Sequence, residues 1–252
     1  GRDMAFFKDK PALIAAALAP AKSYTSPLPA ANSVLGRLAR TYNALGGLID
    51  TLADQTGIDP VAVLAVWYVE SGGRSFTPGK PIIRFENHKF FQFWGHDHAA
   101  EFDQHFQFGG HAGISGTSSK NHKFRAADAG PFATFHGDQG KEYEVMEFAA
   151  KIANREEACL SMSVGGPQIM GFNHAVCGYP SATALFDAFA NDQRWHVLGF
   201  FDFVQSNGLL DNIQKQQWVK FGDRYNGDGA TYGPLIADAF GNKAKLKSLP
   251  KA

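Results

Sequence analysis

The sequence predicts a mainly α-helical protein with one small β element, and three observations carry that expectation. A long amphipathic segment begins near residue 32, an entirely apolar helix follows it, and beyond residue 139 hydrophobic residues recur at helical spacing. Only Ile82-Ile83-Arg84-Phe85-Glu86 reads as a strand by composition. The 252 residues suffice for one substantial domain, or a domain plus an arm. Hydrophobic residues at 44% and charged residues at 19% describe an ordinary globular chain. Lys plus Arg equals Asp plus Glu at 24 each, so no net field favours nucleic acid or an anionic membrane. No apolar run is long enough to insert in a bilayer. With 22 Phe, aromatic rings are expected to dominate the core.

Each element follows from local signals. Ala12 to Ala19, after Lys8 and Lys10, faintly resembles a short signal-peptide core, but a short amphipathic helix is the favoured expectation. Tyr24 to Asn32 is a turn or linker, so residues 1–31 form an N-terminal arm. Asn32 or Ser33 caps a helix through Ala53, with Leu35, Leu38, Tyr42, Leu45, Leu48 and Leu52 on one face. Asp59 and Pro60 then supply the N-cap and first position of the next helix, and Gly72-Gly73 stops it. Pro78-Gly79-Lys80-Pro81 turns the chain into the strand. From His88 to Gly140, His, Gly, Phe and Asp abound without a long period, which predicts short helices and functional loops. Gln139 to Cys159 is expected as one helix, Ser161 to Asn173 as a loop, and further helices near 181–190, 192–207 and 209–222. The main domain is therefore placed at 32–240, with a flexible tail at 241–252. Cys159 and Cys177 make no disulfide framework, and pairing and free burial both stay open.

The most informative residue is Glu70, which closes the apolar run Val61 to Val69. A helix hydrophobic all round is buried. A carboxyl in its last turn is desolvated and also faces the negative end of the helix dipole. Both effects favour the protonated form, as a general acid near neutral pH requires. Glu86 ends the predicted strand 16 residues later, and a helix–turn–strand excursion can bring two carboxyls to one cleft. Glycosidic hydrolysis uses such a pair, one protonating the leaving oxygen and one activating water or stabilising the oxocarbenium ion. An ion pair of Glu86 with Arg84, or hydrogen bonding to His88, explains it equally well. The segment Ser161 to Asn173 interleaves glycines with Gln168, Met170 and Asn173, suited to a neutral polyhydroxylated or N-acetylated ligand. Tyr225-Asn226-Gly227 is a helix stop whose hydroxyl and amide are placed to orient an N-acetyl group or the acid. Six of nine histidines lie between His88 and His122, the basis of a rival reading as a zinc-dependent cell-wall amidase or peptidase. No His-Glu-x-x-His pair is present, and clustered loop histidines are more often hydrogen-bonding than ligating.

Taken in order from about Asn32 to Leu235, these segments resemble the phage-type N-acetylmuramidases, a lysozyme-like group found in endolysins and some secreted cell-wall effectors. The resemblance rests on Val69-Glu70-Ser71-Gly72-Gly73, Pro81 through Phe90, Phe135-His136-Gly137-Asp138-Gln139, Ser163 through His174 and Tyr225-Asn226-Gly227. It implies a lysozyme-like α+β fold with a small β-hairpin beside the active-site cleft, and cleavage of the β-1,4 bond between N-acetylmuramic acid and N-acetylglucosamine. Glu70 would be the general acid; the resemblance does not settle the role of Glu86, whose placement makes it the expected partner carboxylate. Gln168, Met170 and Asn173 would line the glycan groove, Tyr225 would sit close to the acid, and Ser71, His88, His136 and Asn226 would contact substrate. No metal or organic cofactor is expected. The expected partners are peptidoglycan strands and, for a secreted effector, an immunity protein; nucleic acid and membrane insertion are not expected, and the chain is expected to be a monomer. It is expected to be made in the cytoplasm without a signal peptide and to act in the periplasm or extracellular space of the target cell. A lytic transglycosylase would use the same acid and give 1,6-anhydro products.

Overall fold

A computed structural model describes residues 5–74 and 76–252. Residues 1–4 of the expected arm lie outside the described residues. In chain order the elements are α1 (Pro11–Ala15), α2 (Val34–Thr56), α3 (Pro60–Ser71), β1 (Ile83–Phe85), α4 (Asn87–Phe93), α5 (Ala99–His105), β2 (Phe106–Gln107) and β3 (Lys123–Phe124). They continue with α6 (Gln139–Ile152), α7 (Arg155–Leu160), β4 (Met162–Val164), β5 (Ile169–Met170), α8 (Ala182–Asn191) and α9 (Gln193–Ser206). The last four are α10 (Leu210–Gln214), α11 (Trp218–Asn226), α12 (Gly229–Phe240) and α13 (Lys243–Lys247). The mainly α architecture agrees with the sequence. The chain divides into two compact units, one of Gly1–Lys80, Val176–Gly178 and Phe189–Ala252, the other of Pro81–Ala175 and Tyr179–Ala188. No helix among the described residues is long and apolar enough to cross a membrane.

In the first unit, α2 starts where its cap predicts, with the Ser33 hydroxyl accepting from Gly36 N at 3.0 Å. Its face of Leu38, Leu45, Leu48 and Leu52 is buried. Asp59 caps α3 by accepting from Val61 N at 2.9 Å, and every residue from Val61 to Trp67 is buried. The residues placed in an arm and a flexible tail are instead folded onto this unit. The Asp202 carboxylate, fully buried in α9, accepts from the backbone N–H groups of Phe7 (2.6 Å) and Lys8 (3.1 Å). The chain end pairs with the arm through Ser23 N to Ala252 O, 3.1 Å, and Leu246 of α13 is buried. Lys- and Gly-rich composition hid this, because backbone pairing and one buried leucine do not register in composition. The expected helix 209–222 is two, divided where Gln216 adopts φ +56°. Helix α12, which carries Pro234 within it, has no counterpart among the predicted elements; Asp228 caps it by accepting from Thr231 N.

The second unit holds an antiparallel sheet in the order β1-β4-β5 and a two-stranded ribbon β2-β3. β1 pairs β4 with Ile83 opposite Val164 and Phe85 opposite Met162, and Ser163 lies opposite Met170 in the β4-β5 pair. Phe85, Phe90, Phe102 and Phe106 form an aromatic core with ring centroids 5.1–6.1 Å apart. The predicted helix Gln139–Cys159 breaks at Ala153, where Asn154 caps a new helix by accepting from Glu157 N. The Gly-rich segment expected as a loop is the β4-β5 hairpin. Cys159 and Cys177 are both free and buried.

Gly171 shows why that segment needs glycine. A Cβ there would overlap the Cys159 carbonyl oxygen and lie 2.7 Å from its carbon, and this neighbour is backbone rather than a flexible side chain. Gly171→Ala is expected to cost about 3 kcal/mol and lower the melting temperature by about 6–12 °C. A thermal melt of the variant checks this; an unchanged melting temperature would show that the hairpin yields freely.

Candidate active site

Glu70 lies in the last turn of α3. That turn ends at Gly72, whose φ of +70° is the left-handed conformation most side chains resist. The Gly72 carbonyl accepts from Arg37 Nη1 at 2.6 Å, so the helix end is tied to α2. The Ser71 hydroxyl donates to the Trp67 carbonyl at 3.0 Å and is buried. That bond spends the hydroxyl inside the helix, away from the substrate contact expected of it.

Opposite this helix end, α11 delivers Tyr225 and Asn226. Asn226 Nδ2 donates to Glu70 Oε1 at 2.9 Å. Tyr225 stacks on Phe221, with ring centroids 5.1 Å apart, and meets Phe200 and Phe203 edge-on. Gly227 follows with φ +85°, so the Tyr-Asn-Gly helix stop and the Glu70 neighbour are one feature. Burial raises the Glu70 carboxyl to about 7, and the Asn226 hydrogen bond opposes that shift without cancelling it. Burial, and then the nearby Glu70 charge, push the Tyr225 hydroxyl well above its ordinary value. The arrangement can hold a proton on Glu70 near neutral pH and release it to an adjacent oxygen.

The second unit gathers a different set. Glu86 follows β1 and takes Arg84 Nε on Oε1 at 2.8 Å. Its Oε2 lies 3.6 Å from both His88 Nδ1 and His122 Nδ1. His136 Nε2 is 3.2 Å from His122 Nδ1, while His136 Nδ1 is 2.7 Å from Glu142 Oε1. Glu142 is buried in α6, and its other oxygen accepts from Phe85 N at 2.8 Å. Burial, followed by neighbouring cations, lowers His88 to about 4. Burial also lowers His122 to about 3, so both rings are neutral. Burial pushes the Glu86 carboxyl up while Arg84 and His136 pull it down.

Gln168, expected in a glycan groove, is engaged within its own hairpin. Its amide donates to Gly165 O at 2.9 Å and Ile82 O at 3.3 Å, and its carbonyl accepts from Ser163 at 2.7 Å. Met170 and Asn173 are half-buried in and just after β5. The structure thus brings Glu70, Tyr225 and Asn226 together, and separately Glu86, His88 and His136. Sequence reasoning did not single out His122 or Glu142. Glu142 carried a readable signal, since it shares a helical face with Met146 and Ala149 where a carboxylate is out of place.

The family model described as N-acetylmuramidase matches residues 59–236. The crystal structure of the Burkholderia AP3 phage endolysin is similar at 27% sequence identity and a TM-score of 0.57, over 79% of this chain and 70% of that one. No curated protein matches the sequence.

The raised Glu70 has a consequence for stability. The folded chain keeps a proton that the unfolded chain, with an ordinary value of 4.5, releases, so wild-type stability falls as pH rises from about 4.5 to about 7. Glu70→Gln carries no such proton. Its stability relative to wild type should grow across that window by about 1–3 kcal/mol and level off above it. Denaturant melts of both proteins at pH 4.5, 6 and 8 check the trend; a constant difference would mean that Glu70 titrates normally.

Proposed function

The chain belongs to the N-acetylmuramidase family, glycoside hydrolases acting on peptidoglycan, and from that premise we propose that Glu70 is the general acid that cleaves the β-1,4 bond between N-acetylmuramic acid and N-acetylglucosamine. The observation that carries this reading is a carboxyl at the end of a buried apolar helix whose value is raised to about 7. Protonated Glu70 donates to the glycosidic oxygen as the bond to the muramyl anomeric carbon breaks. The resulting carboxylate is received by the Asn226 amide, whose hydrogen bond favours the charged form. Tyr225, packed among phenylalanines, fixes the α11 end from which Asn226 reaches the acid. Water then adds to the anomeric carbon and gives its proton back to the Glu70 carboxylate, which restores the acid and yields a reducing end. This reading gives no proton-transfer step to Glu86, which is engaged by Arg84 and faces two imidazoles. The enzyme acts on the peptidoglycan of a target cell wall.

Glu70→Gln should retain the wild-type circular dichroism spectrum and lose on the order of 10² or more in turnover on purified cell walls. Mass spectrometry of products released by the wild type should show reducing-end muropeptides. Full activity of the variant overturns the role of Glu70, and 1,6-anhydro products overturn hydrolysis in favour of transglycosylation.

A second outcome concerns pH. The acid must be protonated, so kcat/KM should fall as pH rises through about 7. Asn226→Ala removes the bond that favours the carboxylate, and the alkaline limb of its profile should move to higher pH. A limb that stays in place or moves to lower pH would separate Asn226 from the acid.

A further inference from the structure

We propose that Glu86, His88 and His122 form a binding site for one divalent transition metal of the zinc class, with His136 beside it. The first three offer Glu86 Oε2, His88 Nδ1 and His122 Nδ1 within 4.8 Å of one another. The separations from Glu86 Oε2 to each nitrogen are 3.6 Å. Tetrahedral zinc with bonds of about 2.0–2.1 Å places its ligand atoms about 3.4 Å apart, close to the two separations from Glu86.

The hydrogen bonds around the cluster point the same way. His122 Nε2 lies 2.8 Å from the Ser118 carbonyl oxygen, which can only accept, so the ring proton is there and Nδ1 presents a lone pair. His136 Nδ1 faces the buried Glu142 carboxylate at 2.7 Å, so its proton is on Nδ1 and Nε2 is bare in the neutral ring. These two lone pairs approach to 3.2 Å beside a carboxylate oxygen. His88 Nδ1 is buried with no hydrogen-bond partner. A bare His122 nitrogen, the Glu86 oxygen and the unpaired His88 Nδ1 therefore face one another, and one cation among them satisfies all three.

The outer partners complete the resemblance to a metal centre. Ligating imidazoles usually donate their second nitrogen to a carbonyl or carboxylate, as His122 does to Ser118. The Glu86 oxygen turned away from the cluster is held by Arg84. Two imidazoles and one carboxylate suit zinc and its neighbours, with a fourth position left to water. Such an ion would pin the β1-α4 junction and the approach to β3. Between Phe106 and Gln139 regular structure is otherwise confined to the short β2-β3 ribbon.

The test uses the full chain stripped with chelator and titrated with Zn2+ by calorimetry, with Co2+ absorption as a geometric readout and thermal melts in parallel. One Zn2+ per chain, an intense tetrahedral Co2+ spectrum and a melting temperature raised by Zn2+ are expected. His88→Ala and His122→Ala should each weaken binding at least about 100-fold. His96→Ala, an exposed histidine outside the cluster, and Glu70→Gln should bind as the wild type does. If His122→Ala does not fold, His88→Ala alone decides, because that ring is partly exposed and packs less tightly. No saturable binding by the wild type, an octahedral aqueous Co2+ spectrum, or unchanged affinity in His88→Ala would overturn the site. None of these readouts depends on catalysis, so failure here leaves the role of Glu70 standing.

Discussion

A carboxyl placed where the surrounding protein disfavours its charge is the constraint around which the first unit is organised. Helix α3 is apolar on every side, so nothing except burial can stabilise it. Its last turn then has to emerge at a place where a polar side chain is tolerated. Glu70 occupies that point, and the first unit is organised to fix it. Arg37 takes the exposed Gly72 carbonyl, Gly72 supplies the left-handed stop, and Asp59 with Pro60 sets the opposite end. The Asp59 carboxylate is also paired with Lys243, which connects the start of α3 to the C-terminal helix. A helix fixed at both ends holds its terminal side chain in one place, the positioning an acid needs.

Burial alone would favour a permanently protonated carboxyl that binds its proton too tightly to give it away. Asn226 moderates this. A neutral amide donating to Oε1 favours the carboxylate modestly, whereas a guanidinium would suppress the protonated form. Tyr225 is kept neutral by burial and by the Glu70 charge, so it adds no competing anion. The balance leaves the group near 7 at a cost to the folded state, as is common where function and stability draw on the same residue.

Much of this was legible in the sequence because the determining signals are local. The Asp59-Pro60 start, the Gly72-Gly73 stop and the unbroken apolar run between them identify α3 and single out Glu70. The leucine spacing identifies α2. What escaped depends on partners distant in the chain. Gln168 reads as a ligand-binding amide, but its donors and acceptors are used by Ile82, Gly165 and Ser163 in a hairpin whose strands are too short to show alternation. Asp202 reads as an anomaly in an aromatic helix until the N–H groups of Phe7 and Lys8 are found on it. Helix α12, with Pro234 inside it, is held by packing against α11. The ends of the chain were misjudged for the same reason, their order coming from pairing across more than two hundred residues.

The two glutamates show how environment, rather than residue type, assigns chemistry. Both are desolvated, and desolvation is the largest influence on each. Glu70 meets that with a single neutral amide, and its proton stays available near neutral pH. Glu86 meets it with the Arg84 guanidinium on one oxygen and two imidazole nitrogens facing the other. A carboxylate with a cation bound on one side and lone pairs facing it on the other is poorly placed to exchange protons with a substrate. It is well placed to accept a second cation. The same amino acid, at positions 16 residues apart, thus keeps its proton near neutral pH in one unit and is engaged by a guanidinium and imidazoles in the other.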